Sequence, residues 1–256
     1  MLLKKVFGGS IRKRDMKSKL HEFGSDAFGQ RSTRAVSIAS LMSLEGLSAI
    51  DLGSNEGYNS FDLKEHGCST VLGVEGREKY LKIAEKERIQ LGYSDVSFKN
   101  LDVRKIDQLL KRKFDLCLCS GLLYHLQNPI DFLCRLRKIC EVLALETHIA
   151  PDWYSYFLAG TKYRGNLDRK KSTIEFANVQ FTGRYNNFPS EVDMGQTSGS
   201  LETRQTFWLD KESLKKGLEL AGFSIRAFYF STNPRGYPRI PIRHGFRRTK
   251  VFMLAE

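Results

Sequence analysis

The chain has 256 residues, of which 41% are hydrophobic and 27% are charged, and both fractions are ordinary for a globular protein. This length is sufficient for one large domain with a sizeable hydrophobic core. No apolar run approaches the roughly 20 residues of a membrane span, and the N-terminal residues lack the apolar stretch of a secretory signal. We therefore expect a soluble, cytoplasmic protein, and the oligomeric state stays open.

The net charge of +12 is concentrated at the two ends of the chain. Residues 1–20 carry seven Lys or Arg and one Asp, and residues 233–256 carry six Lys or Arg and one Glu. The chain between them is nearly neutral. Such basic ends favour an anionic partner or substrate, RNA included. Solvated tails that only keep the protein in solution are an equally open interpretation.

The cysteines do not form a metal-binding pattern. A structural zinc site needs four converging ligands, and the sequence offers one pair two residues apart without a second pair at a suitable spacing. We expect no metal and predict reduced, mostly buried thiols. The five cysteines are Cys68, Cys117, Cys119, Cys134 and Cys140.

Strands and helices alternate along the first part of the chain. After a basic arm at residues 1–32, the pattern predicts a short helix at 33–44 and a buried strand at 47–52. Further strands are predicted at 70–75, 96–100, 114–119 and 141–146, and helices at 56–66, 77–91 and 130–139, with a short helix ending near residue 110. Near-continuous apolar strands that alternate with helices predict an α/β fold, in which a mainly parallel sheet is covered on both faces.

The alternation is interrupted at residues 147–208, which are rich in Tyr, Asn, Gly and Ser. This stretch is too long for an ordinary connection, so we predict a lid or substrate-binding insertion after the fifth strand. The pattern returns with a helix at 210–220 and strands at 223–230 and 250–254. A basic loop at 233–248 separates those two strands. We assign residues 33–256 to one domain.

The turn after the first strand predicts the ligand class. Gly53 and Gly57 enclose Ser54-Asn55-Glu56, and a helical pattern follows at once. Glycine permits positive φ angles and close approach of a ligand to the backbone. A dinucleotide site requires G-x-G-x-x-G, whose close-approach glycine is missing here, and Glu56 would lie near the phosphates. The turn therefore favours a nucleotide-like ligand without phosphates.

These residues resemble the class I S-adenosylmethionine-dependent methyltransferases. The stretch from Asp51 to Gly57 looks like their first motif, with Asn55 where many members carry glycine. The resemblance implies that an acid after the second strand binds the cofactor ribose and that a residue after the third strand meets the adenine. The cofactor residues it implies are Asp51, Gly53, Ser54, Asn55, Gly57, Glu75, Asp102, Val103 and Ser120. For Asp102, capping of the following helix is an alternative role.

A second segment, Cys119 to Pro129, resembles the stretch after strand four in one subgroup, which includes the bacterial tRNA wobble-uridine carboxymethyltransferase. Taken together, the resemblance implies a Rossmann-like, doubly wound sheet with an antiparallel last strand. It covers residues 47–146 well, and a later segment around residues 206–223 is a looser match.

Three residues near the predicted strand ends are candidates for catalysis. His125 follows the fourth strand, and Glu146 and His148 follow the fifth. A histidine is suited to remove a proton from an attacking hydroxyl or amine. Orientation of its own loop is an alternative role for His125. Candidate substrate-binding residues are Tyr124, Trp153, Arg239 and Arg243.

Three functions remain open at this stage. The first is methyl transfer to an oxygen or nitrogen of a small-molecule or glycan-like acceptor. The second is methyl or carboxymethyl transfer to RNA such as a tRNA base, which the basic ends of the chain favour. A carboxylated cofactor would require a cation facing the transferred carbon, and the sequence does not identify one. The third is a non-catalytic scaffold that retains the cofactor fold.

Overall fold

The computed structural model describes residues 34–151, 167–187, 205–230 and 250–256. The predicted basic arm, the basic loop at 233–248, and Trp153, Arg239 and Arg243 lie outside the described residues. Within the described ranges, no helix combines the length and apolar character that crossing a bilayer requires.

Two sheets organise the described residues. The main sheet has seven strands in the order β3-β2-β1-β4-β5-β10-β9, and a smaller sheet has the order β6-β7-β8. The strands are β1 (Ser48–Leu52), β2 (Thr70–Val74), β3 (Val96–Lys99), β4 (Phe114–Ser120), β5 (Cys140–His148), β6 (Ser172–Phe176), β7 (Val179–Asn187), β8 (Gln205–Leu209), β9 (Ile225–Phe230) and β10 (Lys250–Ala255). The helices are α1 (Arg34–Ala39), α2 (Tyr58–Glu65), α3 (Glu78–Leu91), α4 (Ile106–Leu109), α5 (Pro129–Ile139) and α6 (Lys211–Leu220), with 3₁₀ helices at Val103–Lys105 and Leu123–His125.

The main sheet is the predicted one. Strand β1 pairs in parallel with both β2 and β4, and β4 pairs in parallel with β5. Strand β10 runs antiparallel to β5 and β9. The prediction of a doubly wound, mainly parallel sheet with an antiparallel last strand is therefore confirmed.

Side chains that alternate along each strand build a core on each face of this sheet. Ile50 and Leu52 pack on the face that α5 and α6 cover, whereas Ala49 packs on the face that α1 and α2 cover. Cys117 and Cys119 share the first of these faces, as their spacing of two predicts. Because both faces of the sheet are covered, its strands are largely apolar on both sides. They therefore lack the alternation of polar and apolar residues that a half-exposed strand shows.

Local sequence signals set the helix ends. Gly92 closes α3 in the left-handed conformation at φ 71°, and its N–H donates to carbonyls of the last turn. Pro129 is the first residue of α5, where its missing N–H has no cost. Asp210 caps α6 by accepting a hydrogen bond of 2.9 Å from the backbone N–H of Ser213.

The smaller sheet lies within the stretch where the sequence shows no clear pattern. Strands β6 and β7 form a hairpin in which Phe176 faces Val179. The two turn residues, Ala177 and Asn178, have φ angles of 51° and 61°, as a type I′ turn requires. The strongest sequence signal for this turn is Asn-Gly or Asp-Gly, so Ala177 concealed the hairpin from sequence analysis.

The smaller sheet is attached to the main domain through β8. The N–H of Phe207 donates to the carbonyl of Leu126 at 3.1 Å, and the N–H of Ala150 donates to the carbonyl of Leu209 at 2.8 Å. Strand β8 is thus hydrogen-bonded to the segments that follow β4 and β5. The cavity described below is formed partly by the first of these segments.

The guanidinium of Arg184 on β7 joins the two described residue ranges on either side of 152–166. It donates to the carbonyl of Pro151 at 3.2 Å and to the carbonyls of Asp168, at 3.0 Å, and Arg169. Arg184 is 3% exposed. The hydrogen bonds therefore form in a buried setting, where each is electrostatically stronger than at the surface.

Replacing Ala177 by Gly should stabilise the protein. A left-handed backbone costs a non-glycine residue roughly 1–2 kcal/mol, and glycine removes that cost, so we expect a gain of about 1 kcal/mol in the free energy of unfolding. Chemical denaturation measures it. The matched control is Ala221→Gly, at a residue with φ −70°, which should instead lose about 0.5–1 kcal/mol. Equal effects at both positions would contradict the turn assignment.

Candidate active site

A cavity of about 460 Å³ opens at the carboxyl ends of the parallel strands. This edge is where ligands bind in open α/β sheets. The cavity is bordered by residues that follow β1, β2, β3 and β4 and by the first turns of α5. Of the residues predicted from sequence to bind the cofactor or act in catalysis, those that border it are Gly53, Asn55, Glu75, Asp102, Val103, Ser120 and His125.

The turn between β1 and α2 forms one wall. Gly53 and Asn55 adopt φ angles of 74° and 47°, so the backbone curls in a tight turn where it borders the cavity. The N–H of Asn55 donates to Oε2 of Glu75 at 3.1 Å. The buried Oδ1 of Asn55 has no hydrogen-bond partner among the described residues. Such an orphaned acceptor beside the cavity fits a ligand that brings a hydrogen-bond donor.

Gly57 ends the same turn on the side away from the cavity. It does not belong to the residues that border the cavity, and its φ angle is 88°. A Cβ at this position would lie 2.7 Å from the ring of Phe98. The need for glycine at residue 57 therefore comes from its left-handed backbone and from packing on Phe98, whereas the sequence suggested close approach of the ligand.

Asp51 and Ser54 lie beneath the turn and do not border the cavity. Asp51 is fully buried, and its Oδ2 accepts a hydrogen bond of 2.7 Å from the Ser60 hydroxyl. Burial raises the pKa of Asp51 to about 7, despite the opposing effects of the Ser60 hydrogen bond and the positive charge of Arg34. This carboxyl group therefore titrates near neutral pH.

Glu75 and Arg77 form the part of the wall that follows β2. The Glu75 carboxylate is 2% exposed and accepts backbone N–H groups from Asn55 and Arg77 at 3.1 and 2.9 Å. The Arg77 guanidinium also lies 3.4 Å from Oε1 of Glu75. A carboxylate has about four acceptor sites, so Glu75 retains capacity for ligand hydroxyl groups.

Asp102 has the capping role that the sequence left open, and it also borders the cavity. It caps the 3₁₀ helix at Val103–Lys105 by accepting from the N–H of Arg104 at 2.9 Å, and it borders the cavity. Its carboxylate also forms a bidentate ion pair with the Arg104 guanidinium. The hydrogen bond from Arg104 holds the pKa of Asp102 below its usual value. Asp102 is therefore ionised at neutral pH, and Arg104 is a cavity residue that sequence analysis missed.

His125 reaches the cavity from the 3₁₀ helix that follows β4. Burial lowers the pKa of His125 to about 4, with smaller contributions from the positive charges of Arg77 and His148. The imidazole is thus neutral at physiological pH. A neutral imidazole beside the cavity has a nitrogen able to accept a proton.

An aromatic cluster lies behind His125 and consists of Tyr124, His148 and Trp208 together with the His125 ring. The Tyr124 ring centroid is 4.2 Å from that of His125 and 4.6 Å from that of His148. His148 stacks on Trp208 of β8 with centroids 5.1 Å apart. Tyr124 and His148 do not border the cavity, so these side chains support the His125 segment from the direction of the smaller sheet.

Glu146 is held in an ion pair with Arg34, a residue that the sequence did not single out. The two oxygens of Glu146 accept from Nε and Nη2 of Arg34 at 2.9 and 3.1 Å. Arg34 Nε also lies 3.0 Å from the hydroxyl oxygen of Ser120. Glu146 does not border the cavity. Both of its carboxylate oxygens are therefore engaged by a charged partner.

The charges around the cavity are balanced in pairs. Among the residues that the structure describes, three arginines border it. Each lies beside an acid that borders it too, at 3.4 Å for Arg77 with Glu75, 2.8 Å for Arg104 with Asp102 and 2.7 Å for Arg135 with Asp131. In the described ranges, no three side chains of His, Cys, Asp or Glu are placed to hold a metal ion. The cavity presents carboxylates, an orphaned amide oxygen and a neutral histidine to a ligand.

This fold and cavity define a class I, S-adenosylmethionine-dependent methyltransferase. The model of the "Methyltransferase domain" family matches residues 43–184, more than half of the chain. The chain therefore belongs to the methyltransferase domain family, whose cofactor is S-adenosylmethionine. The predictions of family, enzyme class and cofactor are confirmed at this level.

Relatives of known function share part of this chain. It is 28% identical to a tRNA U34 carboxymethyltransferase of Colwellia psychrerythraea over 182 residues, which is 69% of this chain and 55% of that protein. It is 25% identical to the Campylobacter lari protein of the same name, over 79% of this chain and 70% of that one. The chain spans about half the length of most of these curated relatives.

Solved structures share the fold. The N-terminal domain of EvdMO1, determined in the presence of SAH (S-adenosylhomocysteine) and D-fucose, matches with a TM-score of 0.61 at 22% identity, over 87% of this chain and 79% of that one. A magnesium protoporphyrin IX methyltransferase from Synechocystis with bound SAH matches with a TM-score of 0.55 at 18% identity, over 87% and 79% of the two chains. At these identities the similarity extends to the fold.

Replacing Asp51 by Asn should alter how stability depends on pH. The pKa of Asp51 is higher in the folded protein than in the unfolded chain, so its contribution to stability is complete below about pH 4 and is lost as the pH rises through 7. The melting temperature of Asp51→Asn relative to wild type should therefore increase between pH 5 and pH 8.

Asp102→Asn is the control for this measurement. The pKa of Asp102 lies below its usual value, so this carboxylate stays ionised throughout that pH range. The difference in melting temperature between Asp102→Asn and wild type should be constant from pH 5 to pH 8. A constant difference for Asp51→Asn as well would show that Asp51 is ionised in the folded protein at pH 5.

Proposed function

We propose that this chain transfers a methyl group from S-adenosylmethionine to an oxygen or nitrogen of a small-molecule or glycan-like acceptor. The observation that carries the proposal is the cavity at the strand ends, which Gly53, Glu75, Asp102, Ser120 and His125 border together. They come from the ends of four different strands, with Ser120 and His125 both from the β4 end, and a cavity formed elsewhere would not unite them. Family membership supports methyl transfer, and the acceptor is the part that remains to be tested.

The cavity residues have distinct tasks in this proposal. S-adenosylmethionine supplies the activated methyl carbon. The curled backbone at Gly53 gives the cofactor room, and Glu75 accepts hydrogen bonds from its ribose hydroxyl groups. Asp102 and the backbone of Val103 receive the adenine edge. Binding at several points fixes the methyl carbon for in-line attack at about 3–3.5 Å.

His125 is the group that we assign to proton removal. An attacking hydroxyl or amine must lose its proton, and the neutral imidazole of His125 borders the cavity. Glu146 is engaged by Arg34, and His148 is engaged in the aromatic cluster. Of the three catalytic candidates, His125 is therefore the one with access to a substrate.

RNA is the second candidate acceptor, with a tRNA base as the specific case. The observation that favours it is the group of relatives named tRNA U34 carboxymethyltransferase. A carboxymethyl group would need a cation beside the transferred carbon. Arg77 supports this possibility, because it borders the cavity and its charge acts on His125.

The compartment is also part of the proposal. All five cysteines occur as free thiols, and four of them are buried. Free thiols are typical of reducing compartments, so we propose a cytoplasmic location.

Cofactor binding is the first test. Isothermal titration of the purified protein with S-adenosylhomocysteine should give saturable heat, and Glu75→Ala should weaken binding by about tenfold or more because it removes hydrogen bonds from a charged group. Glu78→Ala is the control, since Glu78 is an acid in the same chain segment that does not border the cavity. Absence of heat from the wild type would favour a non-catalytic scaffold.

Replacing His125 by Ala should lower turnover by about 100-fold or more and leave cofactor affinity unchanged. Because the pKa of His125 is about 4, protonation of this residue should not reduce wild-type activity until the pH approaches 5. Turnover is measured by mass spectrometry of the methylated product. The control is His66→Ala, at a residue outside the cavity. Unchanged turnover in His125→Ala would assign His125 to loop orientation.

The two acceptor classes are separated by their response to salt. RNA binding releases counterions, so the affinity for a tRNA anticodon stem-loop should fall steeply as salt is raised from 50 to 200 mM. A small or glycan-like acceptor has no such dependence. Methyl transfer to a panel of hydroxyl and amine compounds, with no retention of RNA at low salt, would support the first acceptor class.

A further inference from the structure

Arg34 connects the helix before the first strand to the cavity wall. Its Nε lies 3.0 Å from Ser120 Oγ and 2.9 Å from Glu146 Oε2, and its Nη2 lies 3.1 Å from Glu146 Oε1. Ser120, the last residue of β4, is the register partner of Glu146, which lies two residues before the end of β5. Of these three residues, Ser120 alone borders the cavity. Arg34 and Glu146 thus lie directly behind a serine that borders the cavity.

This contact determines what the Ser120 hydroxyl can do. A serine hydroxyl has one donor and two acceptor sites. The single Nε–H of Arg34 is shared between Ser120 Oγ and Glu146 Oε2, so an acceptor site of the hydroxyl is used and its O–H is left to donate. A hydroxyl that accepts from a cation is polarised and becomes a stronger donor. Its best partner is an anionic oxygen.

The sheet order places this hydroxyl at a particular end of the ligand. Asp102 follows β3 and Glu75 follows β2, so an adenosine held by both occupies that side of the sheet. Ser120 is the last residue of β4, which is three strand positions from β3 in the sheet. Neighbouring strands are about 4.8 Å apart, so the span is on the order of 14 Å. A ligand that begins at Asp102 reaches Ser120 with the part beyond its adenosine.

We propose that Arg34 is a positioning residue that directs the Ser120 hydroxyl toward the carboxylate of the cofactor's amino-acid end. Glu146 has a supporting role, because its bidentate pair with Arg34 fixes the guanidinium plane. This assignment rests on the proposed function, since it takes S-adenosylmethionine as the cofactor. It also gives Glu146 a role other than proton removal.

Two ligands that differ in the amino-acid end test the proposal. S-adenosylhomocysteine carries that end, and 5′-methylthioadenosine shares the adenosine and the thioether but lacks it. We expect Arg34→Ala to lower affinity for S-adenosylhomocysteine by about tenfold or more, and to change affinity for 5′-methylthioadenosine by less than about twofold. Ser120→Ala should show the same selectivity, and Arg34→Lys should recover part of the loss.

The double variant tests whether Arg34 acts through Ser120. If it does, Arg34→Ala combined with Ser120→Ala binds S-adenosylhomocysteine no more weakly than Ser120→Ala alone. Asp102→Ala is the control at the other end of the cavity, and it should weaken both ligands by the same factor. Additive losses, equal losses for both ligands, or unchanged S-adenosylhomocysteine affinity in Arg34→Ala would each overturn the assignment.

The experiment also distinguishes loss of folding from loss of ligand binding. Arg34→Ala leaves the Glu146 carboxylate buried without this partner, which is expected to destabilise the folded protein. In that event Arg34→Ala combined with Glu146→Ala removes both charges, and the same ligand selectivity is expected. A wild-type protein that binds neither ligand would overturn the proposed function and this inference with it. A wild type that binds both, with a variant that loses neither, would overturn only the role of Arg34.

Discussion

The parallel register of the central strands is the constraint on which the site depends. Leu52 pairs with Val74 on one side and with Cys119 on the other, and Ser120 pairs with Glu146. This register brings the ends of β1, β2 and β4 to a common level, with β5 extending two residues further. The turn at Gly53, the carboxylate of Glu75 and the hydroxyl of Ser120 then surround the same space. A slip of one residue in any strand would turn its terminal side chain toward the opposite face.

Three acids at this edge of the sheet are buried, and each is stabilised by a different kind of partner. Glu75 accepts backbone N–H groups, which stabilise its charge and leave acceptor capacity for a ligand. Glu146 is compensated by the guanidinium of Arg34. Asp51 receives a hydroxyl hydrogen bond, and burial raises its pKa. Only the first of the three borders the cavity, so similar side chains divide into one that is open to a ligand and two that lie behind the wall.

Sequence analysis succeeded where the signal is local. Apolar runs, Pro129 and the glycines that end helices predicted the main sheet and its order of elements, because strand and helix periods are short-range properties. Arg34 and Glu146 are separated by 112 positions in the sequence, so no local sequence pattern predicts their ion pair. The smaller sheet was missed because β6 is half exposed and Ala177 occupies a turn position that normally takes Asn or Gly. The positions of the cavity residues followed from strand order. Some of their hydrogen-bond partners did not, because these partners lie far away in the sequence.

The hydrogen bonds of Arg184 have a consequence for changes in the length of the chain. Because the guanidinium holds the carbonyls of Pro151, Asp168 and Arg169 together, the stretch between them begins and ends at neighbouring points on a fixed frame. A chain segment whose two ends are held together tolerates changes in length at a small cost in closure entropy. The carbonyls that Arg184 holds therefore make residues 152–166 a place where the chain can change in length while this frame is kept.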